Sequence, residues 1–571
     1  MKRRIMAILL ALTLLPTSLA GCGSKGKVNE EELKSKIEAK MEDPAWKEAM
    51  TTPYGAYPET VTYTLGRTSH NYDALKGTPY EGDNDTNNAW TRYINKKINA
   101  QNENIFEANT GEDYDQKVSM AIVSNEIPDI MAVGDYETLK QLYENDLIAD
   151  LTESYENTAS DLIKEIYNSY GGRIFEKATF DGKLMALPTT EISHGPGILW
   201  IRKDWLDKLG LELPKTLEDL ENVLQQFKDK DPGGNGVGKT EGLVVAPEVA
   251  GKTGGPYQVN NIFAYFGAYP SQWLDDGSGN AFYGSIQPEM KEGLAVLADW
   301  YKKGLIDKQM AVRTNDDRKA ILTSGKSGAF FGNWWGGWEV NESTSLNPEA
   351  KWVPCISPFD KNGQLKMFAG NPNSSYLVVR KGFEHPELIW KLASIQYDLS
   401  NYDENKEDLK ELNDYKKLNV DGSVLATNID YYDGLIKLGT KIKEALDTND
   451  TSKLNRTDLV LYEGCKAYED NLKNQSGITP ADWAHYMSLV EAPSTVAKAN
   501  IKEITPIFYG NTPSMSLKWP ALSKLEQEMY LKIITGEKPV DYFDEFVETW
   551  KKTGGDEITA EVNQAIVEKN K

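Results

Sequence analysis

The chain has 571 residues, long enough for two hydrophobic cores, and its 40 % apolar and 26 % charged residues are those of a globular protein. Its 86 acids against 63 bases give a net charge of −23, a surface that repels nucleic acid and anionic headgroups. Four scattered histidines (70, 194, 385 and 485) and three cysteines form no CxxC, HExxH or zinc spacing, so no cofactor is expected, with bound Ca2+ the one alternative, at the loop described below.

In chain order, the first element is a targeting segment. Lys2, Arg3 and Arg4 precede the apolar run 5–20, which closes on Leu19-Ala20-Gly21-Cys22. A basic start, an apolar core and a small-residue junction read as a signal peptide, residues 1–21. The junction resembles the bacterial lipobox, in which the cysteine is acylated and becomes the first mature residue. Lipidation is therefore expected at Cys22, and two acyl chains suffice for stable attachment. Removing three bases and no acid takes the charge to −26. Pro16 interrupts the only long apolar run, and nothing later approaches the ~20 residues of a membrane span.

Residues 22–57 read as a linker and a charged, partly helical leader. Alternation of Val61, Tyr63 and Leu65 with Thr62 and Thr64 predicts a strand over 60–65 that opens into the polar loop 66–72. Further strands are expected at 129–133, at 182–188 with Pro188 ending it, and at 197–201. Thr216, with Asp219 three residues on, caps a helix carrying Leu217, Leu220, Leu224 and Phe227. A second helix, 288–303, places Met290, Leu294, Leu297, Ala298 and Tyr301 inward and ends at Gly304. Pro386 starts a third, with Leu388, Ile389, Leu392 and Ile395. The last carries Phe543, Phe546, Val547 and Trp550 and stops at Gly554-Gly555. Cys355 and Cys465 allow one disulfide; free thiols packed in the core are the expected state. Strands alternating with helices predict α/β layering.

Several segments in order resemble family 1 of the extracellular solute-binding proteins, the lipid-anchored receptors of bacterial ABC sugar importers, and especially its long Gram-positive members. They are Ile127-Pro128-Asp129-Ile130, the run 181–188 (DGKLMALP), the run 199–211 with Trp200, Arg202, Asp204 and Trp205, the run 214–220, the run 300–307 and the terminal run 554–558. The resemblance covers roughly 60–563. It implies a two-lobed α/β periplasmic-binding-protein-like fold (class II type) with discontinuous lobes: 58–188 and 370–504 in lobe one, 189–369 and 505–571 in lobe two. The crossings fall near Pro188 and Gly370, and solute lies in the inter-lobe cleft.

The run Gly332-Asn333-Trp334-Trp335-Gly336-Gly337-Trp338 is the most unusual stretch. Three indoles among glycines suggest that Trp334, Trp338 and, with less reason, Trp335 line the cleft, where a sugar's C–H face lies on an aromatic plane. The glycines would let the backbone approach the ligand. Further cleft candidates are Trp273 beside Asp275 and Asp276, Trp90, His194 just past the first crossing, and Asn371 near the return crossing. Arg67, His70 and Asn71 join them, because open α/β sheets bind ligands outside the carboxyl ends of their strands. Arg202 and Asp204 read as a structural pair. Asp229, Asp231 and Asn235 sit in a loop that resembles the calcium loop of long family members. With Asp231 first, its third, ninth and twelfth positions are Gly233, Lys239 and Gly242, so a Gly-rich turn is the better reading.

The expected function is that of a receptor, not an enzyme. As a monomer held by its lipid on the extracellular face of the cell membrane, it would capture an oligosaccharide and deliver it to ABC permease subunits. The alternatives are a surface-anchored polysaccharide hydrolase, for which no local carboxylate pair or nucleophile motif stands out, and a receptor for a non-sugar solute such as a peptide.

Overall fold

Val61, Tyr63 and Leu65 are buried and the strand they begin runs further than expected, Val61–Thr68, because Gly66 and Arg67 also turn inward. In this computed structural model, which describes residues 30–191, 195–251 and 255–569, that strand is central to the first of two main sheets. The order is Ala100–Ala108, Val61–Thr68, Ile130–Val133, Asn373–Val379, Leu187–Thr190. The first three are parallel, and Asn373–Val379 runs antiparallel to its two neighbours. Leu187–Thr190 continues past Pro188 rather than ending there. It is an edge strand, where a proline's missing N–H costs no ladder bond.

The second sheet has the order Trp352–Cys355, Ile198–Arg202, Ser327–Gly332, Glu241–Val244. Every residue of Ile198–Arg202 and Ser327–Gly332 is buried, as expected of central strands with both faces covered. Arg202 is only 2 % exposed and bonds Asp204 bidentately, at 2.8 and 2.6 Å, between the rings of Trp205 and Trp352. Asp129 holds a matching place in the first lobe. It accepts from the Thr64 N–H at 3.0 Å and from Arg380 Nη2 at 2.6 Å.

The predicted helices form, the third starting at Leu388 rather than at Pro386. Thr216 and Asp219 close a reciprocal cap on Leu217–Lys230. Met290–Lys303 ends on left-handed Gly304, but its inward face includes fully buried Trp300 while Ala298 and Tyr301 are only partly covered. The Trp300 indole donates to Glu221, which gives its one polar atom a partner. Leu388–Ser394 is buried on every side. At Gly554 (φ 137°) the final helix kinks rather than stops, and Asp556–Lys569 continues with Ile558 and Val562 in the core.

One core gathers residues between Ala49 and Leu187 with residues between Tyr376 and Ile429 around the first sheet. Another covers one face of the second sheet and takes in Met515, Tyr530, Phe546 and Trp550 from the C-terminal helices. The opposite face, with Trp200, Phe330 and Trp352, is covered by Trp483, Ala484 and Ala492. The helices between Gly434 and Lys498 therefore belong with the second sheet, whereas the sequence had assigned everything up to residue 504 to lobe one. The division falls after Ile429 because only the tertiary partner, not the local pattern, distinguishes the two halves of that segment. Cys355 and Cys465 are buried free thiols in separate clusters, and burial pushes both up to about 12. Among the described residues no helix is long and apolar enough to cross a membrane.

Candidate functional site

The chain passes between the lobes after Thr190, after Phe368 and after Ile429. Leu187–Thr190 leads out of the first sheet toward Ile198, and Leu365–Phe368 leads back to Asn373. Ile501–Ile504 returns from the helices and pairs in parallel with Leu365–Phe368, from Leu365 opposite Ile501 to Phe368 opposite Ile504. Around this two-stranded ribbon Arg173 stacks on Tyr432 at 4.9 Å and lies 3.6 Å from Glu503, which also accepts from the Tyr432 hydroxyl. Tyr509 donates to the Ala369 carbonyl at 3.1 Å.

Two cavities flank the ribbon and share Glu191, Pro196 and Met367. The first, of about 350 Å³, is lined by Asn261, Gln272, Asn371 and Tyr509. The second, of about 300 Å³, is lined by Trp334, Tyr431, Tyr432, Asp430 and Glu503. A third, of about 640 Å³, shares Asp430, Tyr431 and Gly434 with the second. It runs on between residues 396–429 of the first lobe and the helices Gly434–Thr448 and Arg456–Lys473. The three form a continuous series along the junction of the lobes. Their walls mix aromatic faces with amides and carboxylates, the surface a polyhydroxylated solute needs.

The tryptophan run lies at this junction but divides. Trp334 lines the second cavity. Its indole N–H is buried with no acceptor among the described residues. Trp338 meets Trp334 edge-on at 6.0 Å, then packs against His485 at 5.5 Å and into the helical clusters, away from the cavities. Trp335 is half-buried at the start of Gly336–Val340 and lines none of the three. The glycines serve packing rather than ligand approach. A Cβ on Gly336 would stand 2.2 Å from the Trp200 Nε1, and one on Gly337 would stand 2.6 Å from Ser488 Oγ.

Asn371 lines the first cavity. Trp273 reaches its wall but is 95 % buried, with its ring against Tyr283 at 5.1 Å. Trp90, at the capped start of Ala89–Ile98, lines the third cavity. Arg67, His70 and Asn71 are not in this series. Arg67 is 3 % exposed, donates to the Ser423 carbonyl at 3.0 Å and lies 3.4 Å from Asp85. The His70 ring bridges Asp85 at 2.7 Å and Asp421 at 3.6 Å. Burial alone would lower the His70 pKa, but the bonds to Asp421 and Asp85 outweigh it and raise the value above the ordinary one. The same contact and the Ser423 N–H outweigh partial desolvation and hold the largely exposed Asp421 well below the carboxylate range. Asn71 is exposed and closes a local turn onto the Asp73 N–H. These three residues organise the loop after the strand. His194 and Cys22 lie outside the described residues.

In the Gly-rich loop, Asp231 sits in a left-handed conformation (φ 45°) and spends its carboxylate internally. It accepts from the N–H of Asn235 and Gly236 and from the Thr240 hydroxyl, at 2.9, 2.6 and 2.7 Å. Asn235 donates to the Gly325 carbonyl, and Asp229 accepts from Gln225. Among the described residues no group of three or more His, Cys, Asp or Glu is placed to hold a metal ion.

Sequence reading missed Tyr431 and Tyr432. Paired rings between Asp430 and Asp433-Gly434 repeat the composition of the tryptophan run, and that signal was available. Glu191, Glu503 and Arg456 carried no local signal, since their place depends on chain crossings.

The chain is 24 % identical over 469 residues to the polygalacturonan/rhamnogalacturonan-binding protein YtcQ of Bacillus subtilis, covering 79 % of this chain and 83 % of that one. It is 25 % identical over 374 residues to lipoprotein LipO of the same organism, covering 64 % and 67 %. Among solved structures, it resembles an HMO-binding, ABC-transporter-associated solute-binding protein from Bifidobacterium longum infantis, with a TM-score of 0.59 and 13 % identity over 89 % of this chain and 98 % of that one. The model of the family described as bacterial extracellular solute-binding protein matches residues 82–395, more than half the chain. This two-lobed protein belongs to that family.

Proposed function

We propose that this protein captures an oligosaccharide outside the cell and delivers it to the membrane subunits of an ABC importer. The observation that carries the reading is the run of cavities at the lobe junction, in which Trp334, Tyr431 and Tyr432 stand among Asn371, Glu191 and Glu503. Aromatic planes cover the C–H faces of sugar rings while amides and carboxylates take the hydroxyls. The names of YtcQ, for polygalacturonan and rhamnogalacturonan binding, and of the HMO-binding structure support a carbohydrate. The protein's own chemistry is binding: closure of the lobes buries the solute, and no bond is made or broken. It acts as a monomer, tethered through lipid on Cys22 after loss of residues 1–21.

Titration calorimetry against a glycan panel, with mass spectrometry of the recovered glycans, tests this reading. Saturable binding of an intact oligosaccharide is expected. Shortened glycans would make the protein a hydrolase, and binding of peptides alone would replace the sugar. Intact-mass analysis of membrane-extracted protein should find a chain beginning at acylated Cys22. An unmodified chain beginning elsewhere would remove the anchor.

A further inference from the structure

The third cavity has a charge arrangement that a chain of net charge −23 does not lead one to expect. Its lining includes Lys416 and Arg456, neither of which has an ion pair among the described residues. Among the described residues Arg456 donates its Nε–H to the Ser400 carbonyl at 2.8 Å, and its four other guanidinium N–H groups have no acceptor. Lys416 makes no side-chain hydrogen bond among the described residues. Partial desolvation and then the Arg456 charge lower the Lys416 pKa, and the Asp421 charge opposes them.

The acids facing the same space are already engaged. Asp421 is held by the His70 ring and the Ser423 N–H. Asp458 accepts the Asn455 N–H that closes the helix cap and lies 3.6 Å from Lys441. Asp430 accepts from the Tyr431 N–H, and burial raises its pKa toward the neutral form. Lys437 is spoken for by Asp433 and by the face of Tyr431. Among the described residues Lys416 and Arg456 are the cations of this cavity without an ion pair, beside the half-exposed ring of Tyr402.

We propose that the captured glycan is acidic, and that Arg456 and Lys416 hold the carboxylates of its hexuronate or related units in this third cavity. The proposal rests on the carbohydrate reading above. A planar guanidinium matches a carboxylate through two parallel bonds, and the neighbouring ammonium supplies a second point charge for the next unit. The aromatic cavity beside the ribbon then takes the following rings through their C–H faces. The acidity of the molecule as a whole does not oppose this, because exposed charges more than about 10 Å away are screened at ordinary salt.

The test is calorimetric titration of the mature protein with carboxylated trisaccharides (galacturonate, mannuronate and sialyllactose) and with their neutral methyl esters. At least one acid should bind ten-fold or more tighter than its ester, with the difference shrinking as salt is raised. Arg456→Gln should weaken the acid ten-fold or more and leave the ester unchanged. Lys416→Gln, which breaks no bond within the protein, provides the same comparison if Arg456→Gln fails to fold. Equal affinity for acids and esters, or equal loss of both in the variants, would overturn the proposal. Binding of neutral glycans alone would overturn it while leaving the carbohydrate reading intact, and failure of every glycan would remove both.

Discussion

Trp334 and Trp338 touch edge-on, yet they face different work. Trp334 borders a cavity, whereas Trp338 lies between helices and His485. Trp334→Ala should therefore weaken glycan binding by about 2 kcal/mol, roughly thirty-fold in Kd, with a small change in melting temperature. Trp338→Ala should cost about 3 kcal/mol of stability and leave the affinity of the folded fraction near the wild type. Calorimetry and thermal melts on the same two proteins separate these outcomes, and a reversed pattern would exchange the two roles. His70 gives a pH signature. Its folded pKa lies above the ordinary value of about 6.5, so its bonds to Asp85 and Asp421 stabilise the fold fully below that pH. The contribution is lost as pH rises through the folded value. Melting temperature should fall as pH rises from about 6.5 through that value, and His70→Gln should flatten the fall; an unchanged slope in the variant would assign the effect elsewhere. At this scale the tryptophan run stood out because indoles are few and costly to expose, but of its three rings Trp334 alone lines a cavity of the series. Arg67 was singled out by its place at a strand's carboxyl end, and that rule does not reveal that Asp85 and Ser423 hold it.

Elements with local causes were legible. The cap at Thr216 and the left-handed stop at Gly304 each depend on residues within a few positions of one another. The ribbon of Leu365–Phe368 with Ile501–Ile504 was not, since its partners are far apart in the chain and each strand is only four residues long. Two variants probe elements directly. Gly336→Ala forces a methyl against the Trp200 ring and should cost roughly 1–3 kcal/mol, read as a lowered denaturant midpoint. Lys391 is fully buried, and its ammonium donates to the carbonyls of Ala49, Thr52 and Gly55, fastening Pro44–Thr51 to the first lobe. Lys391→Met leaves those carbonyls without their donor and should destabilise by about 3 kcal/mol or more. It should also speed amide exchange across residues 44–57. Wild-type exchange there would show that the helix is held by its apolar face instead.

At the scale of the molecule, the two-lobe division was readable from ordered segments, but the allegiance of the helices between Gly434 and Lys498 was not. Solute bound between the lobes stabilises the closed form by mass action. At one hundred times Kd the gain is about 2.7 kcal/mol, to be read as a raised melting temperature with a smaller radius of gyration in solution scattering. A rise without compaction would mean that the lobes do not move. The helices carry a further consequence. They form one wall of the groove, and through Trp483, Ala484 and Ala492 they also roof the face of the second sheet that holds Trp200 and Trp352. Neither duty can be altered without disturbing the other. A lineage turning to a new glycan is therefore least free to vary the roofing residues of this wall. Most of its room for innovation lies on the opposite bank, in residues 396–429, where side chains reach the groove without holding up the second sheet.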